Sequence, residues 1–205
     1  MTIISVQKAE IRFKGGRALL VGSVYGLDSD GESVEKELAS FKPAAIALGI
    51  SREDLESLLN GSALDVYDSY FEGLSRHGSV SIPSPDLLKS IDYARENRIE
   101  LSAIDVGDNE FSEMLYDNVS SLRLVMHSRK FRVRGRSADE FSRKWDRKKN
   151  RGGFERINRI CEQRMVDRIA DLVKTHKRVF VLLDLPRFDN VLEMVRESYP
   201  EGVGR

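Results

Sequence analysis

Six polar residues that could do chemistry fall at the ends of predicted strands or in the turns just after them. They comprise one hydroxyl, one phenol, two guanidinium groups and two carboxylates: Ser23, Tyr25, Arg52, Asp105, Asp184 and Arg187. Carboxylates beside a phenol can transfer protons, and guanidinium groups hold anions. The set predicts a pocket for acid–base chemistry or for an anion. The alternative is that Asp105 and Asp184 cap the helices that follow them and that Arg52 is solvated.

Four short apolar runs must position these residues. Continuous apolar runs bounded by glycine, proline or charged residues are typical of strands that are covered on both faces. Helical patterns separate the runs, which favours parallel pairing with right-handed crossovers. The carboxyl ends of parallel strands meet at one edge of a sheet, so we expect the site at that edge. The runs are residues 17–26, 44–49, 101–106 and 178–184.

Turn and capping signals complete the predicted architecture. Alternation around Ile11 and Phe13, followed by Gly15-Gly16, predicts an N-terminal β-hairpin with a Gly-Gly turn. Ser51 and Ser84 are expected N-caps. The fold class is therefore predicted as α/β, with a central, largely parallel sheet, the hairpin, helices on both faces and a basic helical insertion. Helices are expected over 63–76, 85–97, 109–127, 137–149, 154–175 and 188–198.

Length and composition favour one domain over residues 1–205, in a soluble, cytoplasmic protein. The chain has 205 residues, of which 40% are apolar, enough for one sizeable core. It contains no run of about 18 apolar residues, and its start resembles no secretory leader. Cys161 is the single cysteine, so no intramolecular disulfide is expected.

A net charge of zero conceals a strongly basic segment. Residues 1–128 carry 12 Lys and Arg against 21 Asp and Glu, whereas residues 129–159 carry 13 against 4. We interpret 129–153 as a basic helical arm or lid, and three roles stay open: binding of nucleic acid or another anionic ligand, pairing with the acidic body, or a homodimer through Phe141 and Trp145. The anion-binding candidates are Arg132, Arg134, Arg136, Arg143, Lys144, Arg147 and Lys148, with Lys149, Arg151 and Phe131 nearby.

Other catalytic and cofactor signatures are missing from the sequence. His77, His127 and His176 fall near the carboxyl ends of predicted helices, where an imidazolium is stabilised by the helix dipole. No clustered His or Cys spacing, Gly-x-Ser-x-Gly elbow or glycine-rich phosphate loop is present. The sequence therefore predicts neither a metal site nor a cofactor.

The order of strands and loops resembles the TraB/PrgY-like family, which is related to the erythromycin-esterase, ChaN and Tiki proteins. Family members open with an apolar strand ending in Gly-x-x-His, followed by Lys-Pro-Asp and a strand ending in Glu. Here the matching segments are 21–25 and 42–49, and a second Gly-x-x-His would match 184–187. The helix beginning near Asp86 and the strand before Asp105 also look similar. The resemblance covers most of residues 17–197.

Three motif positions depart from the family pattern. Tyr25 and Arg187 stand where the family has histidines, and Gly49 stands where it has glutamate. In the Tiki branch these histidines and the acid are implicated in metal-dependent proteolysis. The departures imply a TraB-like protein that has lost a metallohydrolase-like site and has a binding or regulatory role. The alternative is a diverged hydrolase that uses Tyr25, Asp105, Asp184 and Arg187.

Overall fold

The fold is α/β, as the sequence predicts. The computed structural model describes residues 6–62, 68–120, 133–151 and 153–199. Within these ranges five strands form one mixed sheet in the order β1-β2-β5-β3-β4. Only β1 is antiparallel to its neighbour, and the other three pairings are parallel. The strands are β1 Gln7–Phe13, β2 Gly16–Ser23, β3 Ala45–Leu48, β4 Glu100–Ala103 and β5 Arg178–Asp184.

Helices connect and cover the strands. The helix predicted over 85–97 has those bounds in the structure, and those predicted over 63–76 and 109–127 extend into residues outside the described ranges. None of the described helices is long and apolar enough to span a membrane. The helices are α1 Asp28–Phe41, α2 Arg52–Leu59, α3 Asp68–Leu74, α4 Pro85–Asn97, α5 Asp108–Asn118, α6 Ala138–Lys149, α7 Phe154–His176 and α8 Leu185–Ser198.

The N-terminal hairpin forms with its turn one residue earlier than expected. Phe13 pairs with Gly16, so Lys14 and Gly15 make the turn. Gly16 already belongs to β2, where a Cβ would lie 2.1 Å from the carbonyl oxygen of Lys177. Glycine is therefore required at this position by the close approach of another chain segment rather than by the turn.

Both expected N-cap residues are confirmed in position, but only one of them caps its helix through its side chain. The Ser51 hydroxyl accepts a hydrogen bond from the backbone N–H of Asp54 and caps α2. Ser84 is the N-cap residue of α4, with Pro85 at the first helical position, but its side chain makes no capping hydrogen bond. Its hydroxyl instead accepts from the backbone N–H of Gly26 and donates to Asp86, because a buried carboxylate is the stronger partner.

The sheet is buried on both faces. Leu20, Val181 and Ala47 are neighbours across β2, β5 and β3, and they join the core under α7 and α8. The adjacent row of strand residues turns to the opposite face and packs under α1 and α4. Side chains alternate along a strand, so central strands covered on both sides read as continuous apolar runs.

A third apolar cluster lies beyond the carboxyl ends of β2 and β5. Val24 and Leu185 follow directly after these strands and are buried in the cluster. Leu74 of α3 and Phe141 and Trp145 of α6 complete it. The cluster holds α3 and α6 against the strand ends and thereby builds one wall of the site described below.

Candidate functional site

A cavity lies at the carboxyl ends of β2, β3 and β5. Its volume is about 300 Å³, at the lower end of the range for small-molecule sites. Strand ends, the first turn of α8 and one face of α6 supply most of its wall. The lining residues are Tyr25, Gly49, Ile50, Asp54, Tyr70, Phe71, Asp105, Ser142, Trp145, Asp146, Lys149, Asp184, Pro186 and Arg187.

Arg187 is held by two carboxylates at the floor of this cavity. Its Nη1 donates to Asp105 Oδ2 and lies 3.5 Å from the carbonyl oxygen of Gly49, and its Nε is 3.7 Å from Asp184 Oδ1. Burial alone would lower the pKa of Arg187, but the two carboxylates more than offset it and raise the pKa. The guanidinium therefore stays charged and is committed to its protein partners.

Two buried polar atoms of the wall make no hydrogen bond within the described residues: Tyr25 Oη and Asp184 Oδ1. Burial, followed by the Asp184 charge, raises the pKa of Tyr25 well above its usual value, so the phenol remains protonated. Burial also raises the pKa of Asp184 to about 6, against the opposing effect of Arg187. Unsatisfied buried polar atoms are rare in folded proteins, and here both belong to residues that line one cavity.

Further carboxylates make the cavity acidic. Burial raises the pKa values of Asp54 and Asp146, and Asp146 accepts a hydrogen bond of 2.6 Å from the side chain of Asn150. Among the described lining residues, four carboxylates face two cationic side chains, Lys149 and Arg187. When all of these groups are ionised the wall is net negative.

Three aromatic side chains, Tyr70, Phe71 and Trp145, also line the cavity and give it an apolar surface. The Tyr70 ring lies 5.5 Å from Trp145 and 5.3 Å from Phe71 between ring centroids, both in edge-to-face arrangements. The Tyr70 hydroxyl is 3.4 Å from Ser142 Oγ, and burial raises its pKa. Interlocked rings of this kind make a firm apolar surface beside the charged groups.

Four of the six residues nominated from strand ends meet in the cavity, namely Tyr25, Asp105, Asp184 and Arg187. Asp184 occupies the N-cap position of α8 without making a capping hydrogen bond. Asp105 precedes Gly107, the N-cap of α5. The capping interpretation is therefore wrong for Asp105, whereas Asp184 has the expected N-cap position without the side-chain hydrogen bond.

Ser23 and Arg52 lie elsewhere, so their placement in the pocket is wrong. Ser23 continues the row of β2 side chains that faces α1 and α4, where its hydroxyl donates to the buried Asp86. The Arg52 side chain is 84% exposed and pairs with Glu56 one turn along α2. Its solvated position agrees with the alternative interpretation of this residue.

Several lining residues escaped the sequence prediction. Ser142, Asp146 and Lys149 are spaced to share one face of α6, next to the stripe that buries Phe141 and Trp145. The helical spacing of this polar stripe is the one sequence feature that could have identified these three residues as part of the site. Asp54 and Tyr70 carry no comparable signal, because only the tertiary packing of α2 and α3 brings them to the strand ends.

The basic segment is part of the fold. Phe141 and Trp145 are 1% and 6% exposed inside their own chain, so the predicted homodimer contact through these two rings is wrong. Arg143 pairs with Asp189 of α8, and Lys144 pairs with Glu140 at 2.6 Å. Arg134, Arg136, Arg147, Lys148 and Arg151 are exposed, while Phe131 and Arg132 lie outside the described residues.

Comparison with known proteins adds no relative: no family model and no curated protein matches the chain. Within the described ranges, no three His, Cys, Asp or Glu side chains are grouped so that they could hold a metal ion.

Proposed function

We propose that this chain is a TraB-like ligand-binding protein that takes up a small molecule in the strand-end cavity without catalysing its turnover. One observation carries the proposal: Tyr25 and Asp184 line the cavity, and their buried atoms Tyr25 Oη and Asp184 Oδ1 make no hydrogen bond within the described residues. A ligand with complementary polar atoms would satisfy both, and the remaining wall is already shaped by packed rings.

The chemistry of the site favours binding over catalysis. Tyr25 stays protonated at neutral pH and Arg187 has no proton to give, so neither replaces the histidine that the family pattern has at its position. Gly49 contributes its carbonyl oxygen to Arg187 in place of a glutamate side chain. The arginine therefore serves to orient two carboxylates rather than to activate water.

A fragment-binding experiment tests this proposal. Saturation-transfer NMR would be run with a fragment set containing cationic, neutral and anionic members, on the natural chain and on two variants. Asp54→Phe adds a ring to the cavity wall and keeps the backbone N–H that Ser51 caps, whereas Glu56→Phe changes an exposed residue of the same helix. We expect fragment signals that Asp54→Phe abolishes and Glu56→Phe preserves.

Two results would contradict the proposal. Fragments that bind equally to both variants, or no fragment binding at all, would remove the cavity as a ligand site. Calorimetric titration with Mn²⁺, Co²⁺ or Zn²⁺ provides the second check, since tight stoichiometric binding lost in Asp184→Asn would restore a metal-dependent role.

The diverged hydrolase remains a second candidate because one observation favours it. Asp184, whose pKa is raised to about 6, borders the same cavity as the protonated Tyr25, and a base with a pKa near neutrality suits proton transfer. Hydrolysis of activated esters would then rise with pH through about 6 and disappear in Asp184→Asn. Equal rates for the two proteins across that range would exclude this candidate.

A further inference from the structure

The cavity wall identifies a class of ligand, and this inference rests on the proposed function. We propose that the cavity binds an organic cation: a protonated amine carried on an aromatic or apolar body. The ammonium group would lie against Asp184 and Tyr25, and the apolar body against Tyr70, Phe71 and Trp145.

The charge balance selects against anions. Four carboxylates line the cavity, those of Asp54, Asp105, Asp146 and Asp184, against the two cationic side chains of Lys149 and Arg187. Arg187 is already paired with Asp105 and lies beside Asp184. A ligand carboxylate or phosphate would meet uncompensated negative charge in a partly desolvated space, where electrostatic repulsion is stronger than in water. A cation gains from the same field.

The two wall atoms that make no hydrogen bond within the described residues, Tyr25 Oη and Asp184 Oδ1, select a hydrogen-bond donor. An ionised Asp184 can only accept, and the Tyr25 oxygen can accept as well as donate. An ammonium group carries only donors, so its N–H groups can satisfy both oxygens together. A neutral hydroxyl can also bridge the two groups, by accepting from Tyr25 and donating to Asp184, but it lacks the charge that attracts an ammonium group to the carboxylate.

The aromatic wall adds a second source of affinity for the same class of ligand. Tyr70, Phe71 and Trp145 form one cluster of rings beside the acidic wall. These rings offer an apolar surface on which the body of the ligand can be buried. Carboxylates next to packed rings therefore match a molecule that is charged at one end and apolar at the other.

Three probes of nearly the same shape test the inference: 2-phenylethylammonium, 2-phenylethanol and 3-phenylpropanoate. Trp145 is the single tryptophan of the chain and lines the cavity, so its fluorescence reports occupancy directly. We expect the ammonium probe to bind about tenfold or more tightly than the alcohol, and the carboxylate to bind more weakly than both.

Isosteric variants show which carboxylate attracts the ammonium group of the ligand. Asp184→Asn should weaken binding of the ammonium probe about tenfold while leaving binding of the alcohol within about twofold, because only the cation uses the charge. Asp92→Asn removes a carboxylate from the exposed face of α4 and should change neither affinity. If Asp184→Asn does not fold, Tyr25→Phe tests the same pair of atoms, with the exposed Tyr116→Phe as its control.

The outcomes separate this inference from the proposed function. If the alcohol or the carboxylate binds as tightly as the ammonium probe, the cation class is overturned and the ligand cavity stands. If the ammonium probe binds to Asp184→Asn and to Tyr25→Phe as tightly as it binds to the natural chain, the inference is likewise overturned. If neither these probes nor the fragment set binds, both proposals fail.

Discussion

Removing the guanidinium of Arg187 tests most sharply how the site is held together. Arg187→Met keeps most of the apolar stem of the side chain and deletes its charge. The substitution leaves Asp105 and Asp184 facing each other across a partly buried site, because Arg187 contacts Asp105, lies 3.7 Å from Asp184 and lies 3.5 Å from the carbonyl oxygen of Gly49.

The expected cost follows from the burial of the three side chains. Breaking a fully buried ion pair on one side costs about 3–5 kcal/mol. The Arg187, Asp105 and Asp184 side chains are 24%, 12% and 30% exposed, so solvent screens part of the orphaned charge. We therefore expect Arg187→Met to lower the free energy of unfolding by about 3 kcal/mol near neutral pH.

This cost should shrink in acid. Loss of the guanidinium raises the pKa of Asp184 further above its value of about 6, so the folded variant takes up protons that the unfolded chain binds only at lower pH. Stability of the variant relative to the natural chain therefore increases as the pH falls toward about 5, and we expect roughly half of the deficit to disappear there. Adding Asp105→Asn should also recover about 1–2 kcal/mol, because it removes an orphaned charge.

Urea unfolding at the two pH values, followed by circular dichroism and by Trp145 fluorescence, measures these effects. Arg52→Met is the matched control, since it removes an exposed ion pair and should change stability by no more than about 0.5 kcal/mol. A cost for Arg187→Met below about 1 kcal/mol, or an equal cost at both pH values, would refute the assignment of Arg187 as the clamp of this site.

Three further predictions concern buried residues that do not line the cavity. Ser23→Ala should lower the free energy of unfolding in urea by about 2 kcal/mol, because it removes a hydroxyl donor from the fully buried Asp86. Ser102→Ala is the control: it loses a contact to the exposed Glu100 and should leave stability nearly unchanged. Equal losses of stability in the two variants would contradict the account. Burial raises the pKa of Asp30 to about 6, so its ionised carboxylate destabilises the folded chain above that pH, and this penalty disappears below the pKa of the unfolded chain. Asp30→Asn should therefore raise the free energy of unfolding by about 2 kcal/mol near pH 7 and change it little near pH 4. A larger stabilisation near pH 4 than near pH 7 would refute the raised pKa of Asp30. Phe141→Ala should cost about 3–5 kcal/mol with no change of mass in light scattering, whereas a lower mass with unchanged stability would restore the homodimer interpretation.

The strand ends were predictable from sequence because their signal is local. An apolar run that stops at a polar residue marks both the strand and the edge at which it ends. Parallel pairing then brings such ends together, which is why Tyr25, Asp105, Asp184 and Arg187 meet in one cavity. The predicted strand over 178–184 matches β5, and its last residue lines the site.

The rest of the site depends on long-range packing that spacing alone does not encode. The stripe of Phe141 and Trp145 marks an apolar helix face, but it does not say whether that face meets the same chain or a second copy. Here α3 and α8 cover it, and the neighbouring polar stripe is thereby turned toward the strand ends. Ser23 shows the same limit, because its partner Asp86 lies 63 residues away.

The most direct measurement of the central claim is a crystal structure of the protein with 2-phenylethylammonium at a saturating concentration. We expect the ligand in the strand-end cavity, with its nitrogen within about 3.2 Å of Asp184 Oδ1 and its ring against Tyr70 and Trp145. A cavity without the ligand, or a ligand with its ring at Asp184 and its nitrogen in solvent, would contradict the account.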